Sequence, residues 1–183
     1  MVKNSEFRLY PFIEKSLKDL GWDTKNPASG GRVYTQIEFY QHDNNLKQSL
    51  GQAAPENIVL ISSDGGHRYW TIEAKEKHKD LEKAIGEAKD YAEKINSEFP
   101  NMARFATGVA GTDEESRYVR TCYWDGSIWT DVKLNDYEST GFLTEYQCQI
   151  ILGSNNSEIA EFNLDSATFL EKATEINLSL IHI

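Results

Sequence analysis

Cysteine is scarce in this chain. Cys122 and Cys148 stand far apart, with no C-x-x-C pair and no histidine at zinc-ligand spacing, which excludes a zinc site or a disulfide framework and leaves two buried thiols. No apolar run approaches the roughly 20 residues needed to cross a bilayer. The N-terminus also lacks a basic region followed by an apolar one, so neither a membrane span nor a secretion signal is expected, and the chain reads as soluble and cytoplasmic. No Gly-x-Ser-x-Gly occurs, and the histidines at 42, 67, 78 and 182 have no recognisable nucleophile partner, which argues against serine or cysteine hydrolase chemistry. Gly108-Val109-Ala110-Gly111-Thr112 lacks both Gly-Lys-Ser/Thr and dinucleotide-site glycine spacing, and reads as a plain turn. Cations are also in deficit: 19 Lys and Arg face 29 Asp and Glu, a net charge of −10. Sequence-independent affinity for phosphates comes mostly from Lys and Arg, so a stand-alone DNA-gripping module is disfavoured.

What the chain does have is aromatic mass: eight Phe, nine Tyr and four Trp in 183 residues, enough for one domain with a substantial core. Phe7, Tyr10, Ile13, Leu17 and Leu20 fall at helical spacing before Gly21, which predicts an amphipathic first helix over residues 5–20, kinked or divided by Pro11. Val33, Thr35, Ile37 and Phe39 alternate and predict a half-buried strand. Residues 41–54 give no clear pattern. Two strands follow at about 57–62 and 68–75, joined by Ser62-Ser63-Asp64-Gly65-Gly66, whose Asp-Gly-Gly is hairpin chemistry and makes Asp64 a turn residue. Leu81, Ala84, Ile85, Ala88, Tyr91, Ala92 and Ile95 form one stripe of a helix over 80–97. Further strands are expected over 103–109, 118–124 and 128–132, the last two joined as a hairpin by Asp125-Gly126-Ser127; the first should run parallel to a site strand because a helix precedes it.

The functional signal lies at the ends of the two central strands. If they are neighbours, Glu56 stands at the start of one while Glu73 and Lys75 stand near the end of the next. Two carboxylates and an ammonium then share one sheet edge. Hard Mg²⁺ takes one or two carboxylates, with water and substrate phosphate completing the octahedron. A lysine beside such an ion can hold or deprotonate the attacking water. Taken alone, Glu73-Ala74-Lys75 is equally what two solvated side chains on alternate strand positions look like.

Pro55-Glu56-Asn57-Ile58-Val59-Leu60, then Trp70-Thr71-Ile72-Glu73-Ala74-Lys75, then Gly86-Glu87-Ala88-Lys89-Asp90-Tyr91-Ala92 resembles the PD-(D/E)xK restriction nucleases. More narrowly, it is similar to the N-terminal nuclease domains of type I restriction R subunits and of fused (type IIG-like) restriction-methylation enzymes. Glu6-Phe7-Arg8 followed by Leu20-Gly21-Trp22-Asp23 is similar to the opening helix of those families, where a glutamate can complete the site. Phe105-Ala106-Thr107-Gly108-Val109-Ala110-Gly111 looks like the continuation seen in the fused subgroup. The resemblance covers roughly residues 4–110.

That resemblance implies an α/β, restriction-endonuclease-like fold, a mixed central sheet flanked by helices. It implies a Mg²⁺-dependent DNA endonuclease, with Mn²⁺ able to substitute, in which Glu56 and Glu73 hold the ion, Glu6 is a further ligand or a surface carboxylate favoured by a helix start, and Lys75 orients or activates water. Glu87 and Tyr91 complete the site, Tyr91 being otherwise a core aromatic with its hydroxyl at the rim. The implied partners are double-stranded DNA and a downstream methyltransferase or helicase domain, with transient dimerisation for double-strand cleavage and no membrane. The alternative is a non-cleaving DNA-binding or assembly module that keeps the fold. Two residues depart from the family pattern: Glu56 replaces its aspartate, and Glu87 replaces the glutamine of Gln-x-x-x-Tyr. The first shifts the ligand by about an ångström, enough to matter for positioning. The second adds negative charge near the scissile phosphate. Burial would neutralise Lys75 and neighbouring carboxylates would keep it charged; the sequence leaves that balance open. Lys75, Lys77, His78 and Lys79, with Arg68, either face a phosphate backbone or are simply solvated.

Residues 1–153 are thus expected to form the nuclease domain, and 154–183 a helical linker capped at Asp165-Ser166, with Phe169, Leu170, Ala173, Ile176 and Leu180 on one stripe. The apolar stop at Leu178-Ser179-Leu180-Ile181-His182-Ile183 predicts the N-terminal piece of a longer polypeptide.

Overall fold

Pro11 opens the first helix instead of breaking it. In the computed structural model, which describes residues 9–63, 66–112, 117–134, 141–153 and 162–164, helix α1 runs Tyr10–Asp19 with the proline in its first turn. A missing N–H costs nothing there, because that donor has no helical acceptor. The expected kink is corrected accordingly, and Gly21, at φ +88°, stops the helix as its position implied. Residues 1–8, with Glu6 and Phe7, lie outside the described residues, as do Asp64 and Gly65 and, of the helical extension expected over 154–183, all but 162–164, which form a short strand.

The second correction concerns residues 33–42. Strand β1 spans only Val33–Thr35, and helix α2 takes over at Gln36–His42. Glu38 causes the switch: its Oε2 accepts from the Thr35 backbone N–H at 3.0 Å and from Thr35 Oγ1 at 2.8 Å, the glutamate's half of the capping box that starts a helix. Ile37 is therefore 69% exposed on a helix and not half-buried on a strand. Asp43 then accepts from the backbone N–H groups of Asn45 and Leu46, at 2.9 and 3.1 Å, and so starts helix α3, Asn44–Leu50.

The remaining elements are β2 (Asn57–Ser63), β3 (Gly66–Lys75), α4 (Leu81–Glu98), β4 (Ala103–Ala110), β5 (Tyr118–Trp124), β6 (Trp129–Leu134), α5 (Glu145–Gly153) and the short β7 (Phe162–Leu164). The protein is α/β: β1 to β6 stand in chain order in one mixed sheet, and β7 continues it beside β6. Neighbours are antiparallel except β3 with β4 and β6 with β7. The β3–β4 pair is parallel because α4 carries the chain back along the sheet, as its position between them predicted. The glycine stretch at 108–111 is not a plain turn: Gly108 and Ala110 belong to β4, and only Gly111, at φ +99°, leaves the ladder.

Alternation divides the sheet's residues between two cores. Trp70, Ile72 and Ala74 of β3 join Val59, Ile61, Phe105 and Val109 in a cluster with Ile13 and Leu17 of α1 and Cys148, Ile150 and Ile151 of α5. Trp70 Nε1 donates to Thr107 Oγ1 at 2.7 Å, which satisfies the indole inside that cluster. Tyr69 belongs to the opposite face, with Ile58, Phe39, Leu46, Ala92 and Ile95 beneath α2, α3 and α4. Both cysteines are buried free thiols, as expected. Among the described residues no helix is long and apolar enough to cross a membrane.

Candidate functional site

Register alone brings the acidic residues together. Asn57 of β2 pairs with Ile72 of β3, so Glu56, one position earlier, comes alongside Glu73. Thr35 of β1 pairs with Asn57, so Gln36 comes alongside Glu56. Glu73 in turn pairs with Gly108 of β4. Gln36, Glu56, Glu73 and Gly108 thus form one row across four segments, with Lys75 two residues beyond Glu73 and therefore on the same face. That face is the one covered by α2, α3 and α4.

Glu56 and Glu73 are each only 4% exposed. Lys75 Nζ lies 2.7 Å from Glu73 Oε1 and 2.6 Å from Glu87 Oε2, so the ammonium bridges a strand carboxylate and a helix carboxylate. Lys83, one turn before Glu87, is 3.8 Å from its other oxygen. On the far side, Gln36 Nε2 donates to Glu56 Oε2 at 3.3 Å. The helix can lie this close because β4 offers small residues beneath it: a Cβ on Gly108 would stand 2.5 Å from the Ile85 backbone nitrogen. Ile85 is two residues before Glu87, so this approach sets how far Glu87 reaches over the sheet. The end of β3 is held by Gly111, whose N–H donates to the Lys75 carbonyl at 3.1 Å.

Burial pushes the Glu73 carboxyl up to about 7; the Lys75 hydrogen bond and charge pull it down, and the charges of Glu56 and Glu87 push it further up. For Lys75, burial works against the ammonium, but hydrogen bonds to Glu73 and Glu87 and their charges outweigh it and hold the amine well above its ordinary range. The balance left open by the sequence is therefore resolved toward a charged lysine. Tyr91 is raised by burial and by the charges of Glu73, Glu87 and Glu56, against Lys75, so its hydroxyl stays protonated.

Glu56, Glu73, Lys75, Glu87 and Tyr91 are thus in one electrostatic neighbourhood, as expected. Arg68 is not. It pairs with Ile61, seven residues back along β3, which is roughly 23 Å at strand rise, and its guanidinium donates to the His67 carbonyl at 3.1 Å. Lys77, His78 and Lys79 follow β3 and are exposed, with His78 and Tyr118 in ring contact at 6.3 Å. Gln36 was missed by the sequence reading. The signal was present in Thr35-x-x-Glu38, a helix-start pattern that ends the strand at Thr35 and turns Gln36 toward Glu56. Among the described residues no group of three or more His, Cys, Asp or Glu side chains is arranged to hold a metal ion. The chain matches no family model, no curated protein and no solved structure.

Proposed function

We propose that this chain is a Mg²⁺-dependent DNA endonuclease domain with a restriction-endonuclease-like fold, acting on double-stranded DNA as part of a larger restriction-modification enzyme. The observation that carries this reading is the convergence of Glu56, Glu73 and Lys75 from neighbouring strands, with Glu87 and Tyr91 brought over them by α4. The donor set suits a hard cation. Glu73 is a buried carboxylate disfavoured as an anion by burial, Glu56 and Glu87, and a divalent ion would offset that charge.

Glu56 and Glu73 would hold the ion, with water and a substrate phosphate supplying the remaining oxygens. When bound, Mg²⁺ offsets charge on the phosphate and makes a coordinated water more acidic. Lys75, kept as an ammonium by its two carboxylates, is suited to orient the attacking water or donate to a phosphate oxygen. Proton abstraction would need the neutral amine, which Glu73 and Glu87 disfavour. Tyr91, protonated, is a second donor toward the phosphate.

The test is nicking of supercoiled plasmid with Mg²⁺ or Mn²⁺. Wild type is expected to nick and Lys75→Ala to lose at least 10²-fold in rate, the usual scale for removing one preorganised donor from a charge-developing site. Equal nicking at equal purity removes the mechanism. One observation favours a non-cleaving module: the 2.6 Å ion pair by which Glu87 engages Lys75. Calorimetry separates the two, since cation binding lost in Glu73→Ala fits the nuclease, and absence of binding even with DNA fits the module.

A further inference from the structure

We propose that Glu87 is a two-position latch: its carboxylate holds the Lys75 ammonium in the unliganded chain, and an anionic phosphate takes that place while Glu87 swings to Lys83. The proposal deepens the endonuclease reading above and rests on it for the identity of the anion. Three observations carry it. Glu87 Oε2 lies 2.6 Å from Lys75 Nζ. Its other oxygen is already 3.8 Å from Nζ of Lys83, one turn back on α4, so a second cation stands at helical spacing to receive it. Of the two carboxylates on Lys75, that of Glu87 is 33% exposed and that of Glu73 only 6%. A ligand arriving from solvent therefore meets Glu87 first, and Glu87 has a solvent-exposed second partner to move to.

Occupancy of Lys75 is not what opposes the phosphate. An ammonium has three protons, and with Glu73 and Glu87 engaged one remains to be donated. Charge is the obstacle: two anionic oxygens accepting from one ammonium stand roughly 4.5 Å apart, and in a partly buried site like charges at that range repel. Moving the Glu87 carboxylate onto Lys83 relieves the repulsion and leaves the carboxylate paired. Lys75 stays compensated, because the phosphate replaces the charge that left. The backbone of α4 is seated against β4 at Gly108, where a Cβ would stand 2.5 Å from the Ile85 nitrogen, so the latch moves by rotation of the Glu87 side chain and not by a shift of the helix.

The experiment titrates the whole chain with inorganic phosphate, read by phosphorus NMR in metal-free buffer, and measures plasmid nicking with Mg²⁺ alongside. Releasing a charge-assisted contact is worth about a factor of ten, so Glu87→Gln should bind phosphate about tenfold more tightly and nick faster. Asp90→Asn removes one exposed carboxylate from the same helix and serves as the charge control; it should change neither readout. Lys83→Met takes away the second position and should weaken phosphate binding about twofold in the wild-type background, but have no effect in Glu87→Gln, where there is nothing left to receive. A folded Glu87→Gln that binds phosphate no better than Asp90→Asn overturns the latch, as does an absence of phosphate binding in every variant. An equal effect of Lys83→Met in both backgrounds makes Lys83 a general attractor of anions and overturns the two-position mechanism. Phosphate results as expected, with no nicking by any variant, overturn the endonuclease reading and leave the latch standing. Should Glu87→Gln fail to fold, Glu87→Ala is read in the same way.

Discussion

Glu73 is the residue on which charge, burial and chemistry meet. Its carboxyl is raised from an ordinary 4.5 to about 7, first by burial, so the folded protein keeps a proton there over a range in which the unfolded chain has lost it. The stability contributed by that proton is fully present below about pH 4.5 and is lost as pH rises to about 7. In metal-free buffer, the unfolding free energy should therefore decline across this window, and Glu73→Gln should flatten the decline; denaturant titrations at pH 5 and 8 measure both. The cation should compete with the same proton. Binding Mg²⁺ at pH 7 is expected to release about half a proton, read from calorimetry in buffers of different ionisation enthalpy, and affinity should climb with pH. Binding without proton release would remove Glu73 from the ligand set.

Among the elements, α4 and β4 make the site possible by lying unusually close. Gly108→Ala would set a methyl group 2.5 Å from the Ile85 nitrogen and 2.9 Å from its Cα, and both belong to backbone that cannot swing aside. The variant should lose about 1–3 kcal/mol of stability, the usual cost of overpacking, and lift Glu87 from Lys75, so that cation affinity and unfolding midpoint fall together. A Gly108→Ala protein with wild-type stability would show that the helix is not seated as described.

The elements legible beforehand were those with a clean period or strong turn chemistry. The 18-residue α4 announced itself by its apolar stripe, and the β5–β6 pair by Asp125, whose Oδ1 accepts from the Ser127 and Ile128 N–H groups at 2.7 and 2.9 Å. Short helices were harder. In α2 the alternation of Val33, Thr35, Ile37 and Phe39 imitates a strand, and only the three-residue offset from Thr35 to Glu38 overrules it. In α5, buried Cys148, Ile150 and Ile151 form no stripe because the helix is sunk in the core. It is tied to the sheet by Arg32, which donates through Nη2 to Glu145 Oε2 at 2.6 Å, a partner 113 positions away that no local pattern encodes. Glu73 and Lys75 were legible because they share the parity of one strand, and Glu56 because it immediately precedes the neighbouring one. Gln36 was not, because it follows a misread boundary.

At the scale of the whole molecule, charge limits what this chain does unaided. A net charge of −10 opposes a polyanion, and the exposed cations near the site are few, Lys77, Lys79 and Lys83 among them. Metal-free, the isolated chain should bind random-sequence duplex with a dissociation constant weaker than about 10⁻⁴ M at physiological salt, measured by fluorescence anisotropy. Submicromolar binding would show that the chain grips duplex DNA by itself despite its net charge.

Strand β3 has a property that follows from its double duty. Odd-numbered Glu73 and Lys75 face the ion-pair cluster beneath α4, while even-numbered Trp70, Ile72 and Ala74 fill the core on the other face. Parity is all that separates the two sets, so one residue inserted or deleted between Trp70 and Glu73 would drive a carboxylate and an ammonium into the aromatic interior and turn out what belongs there. Length changes before Tyr69, toward the β2–β3 connection, do no such harm. Length is therefore free to change in that hairpin and constrained from Trp70 to Lys75.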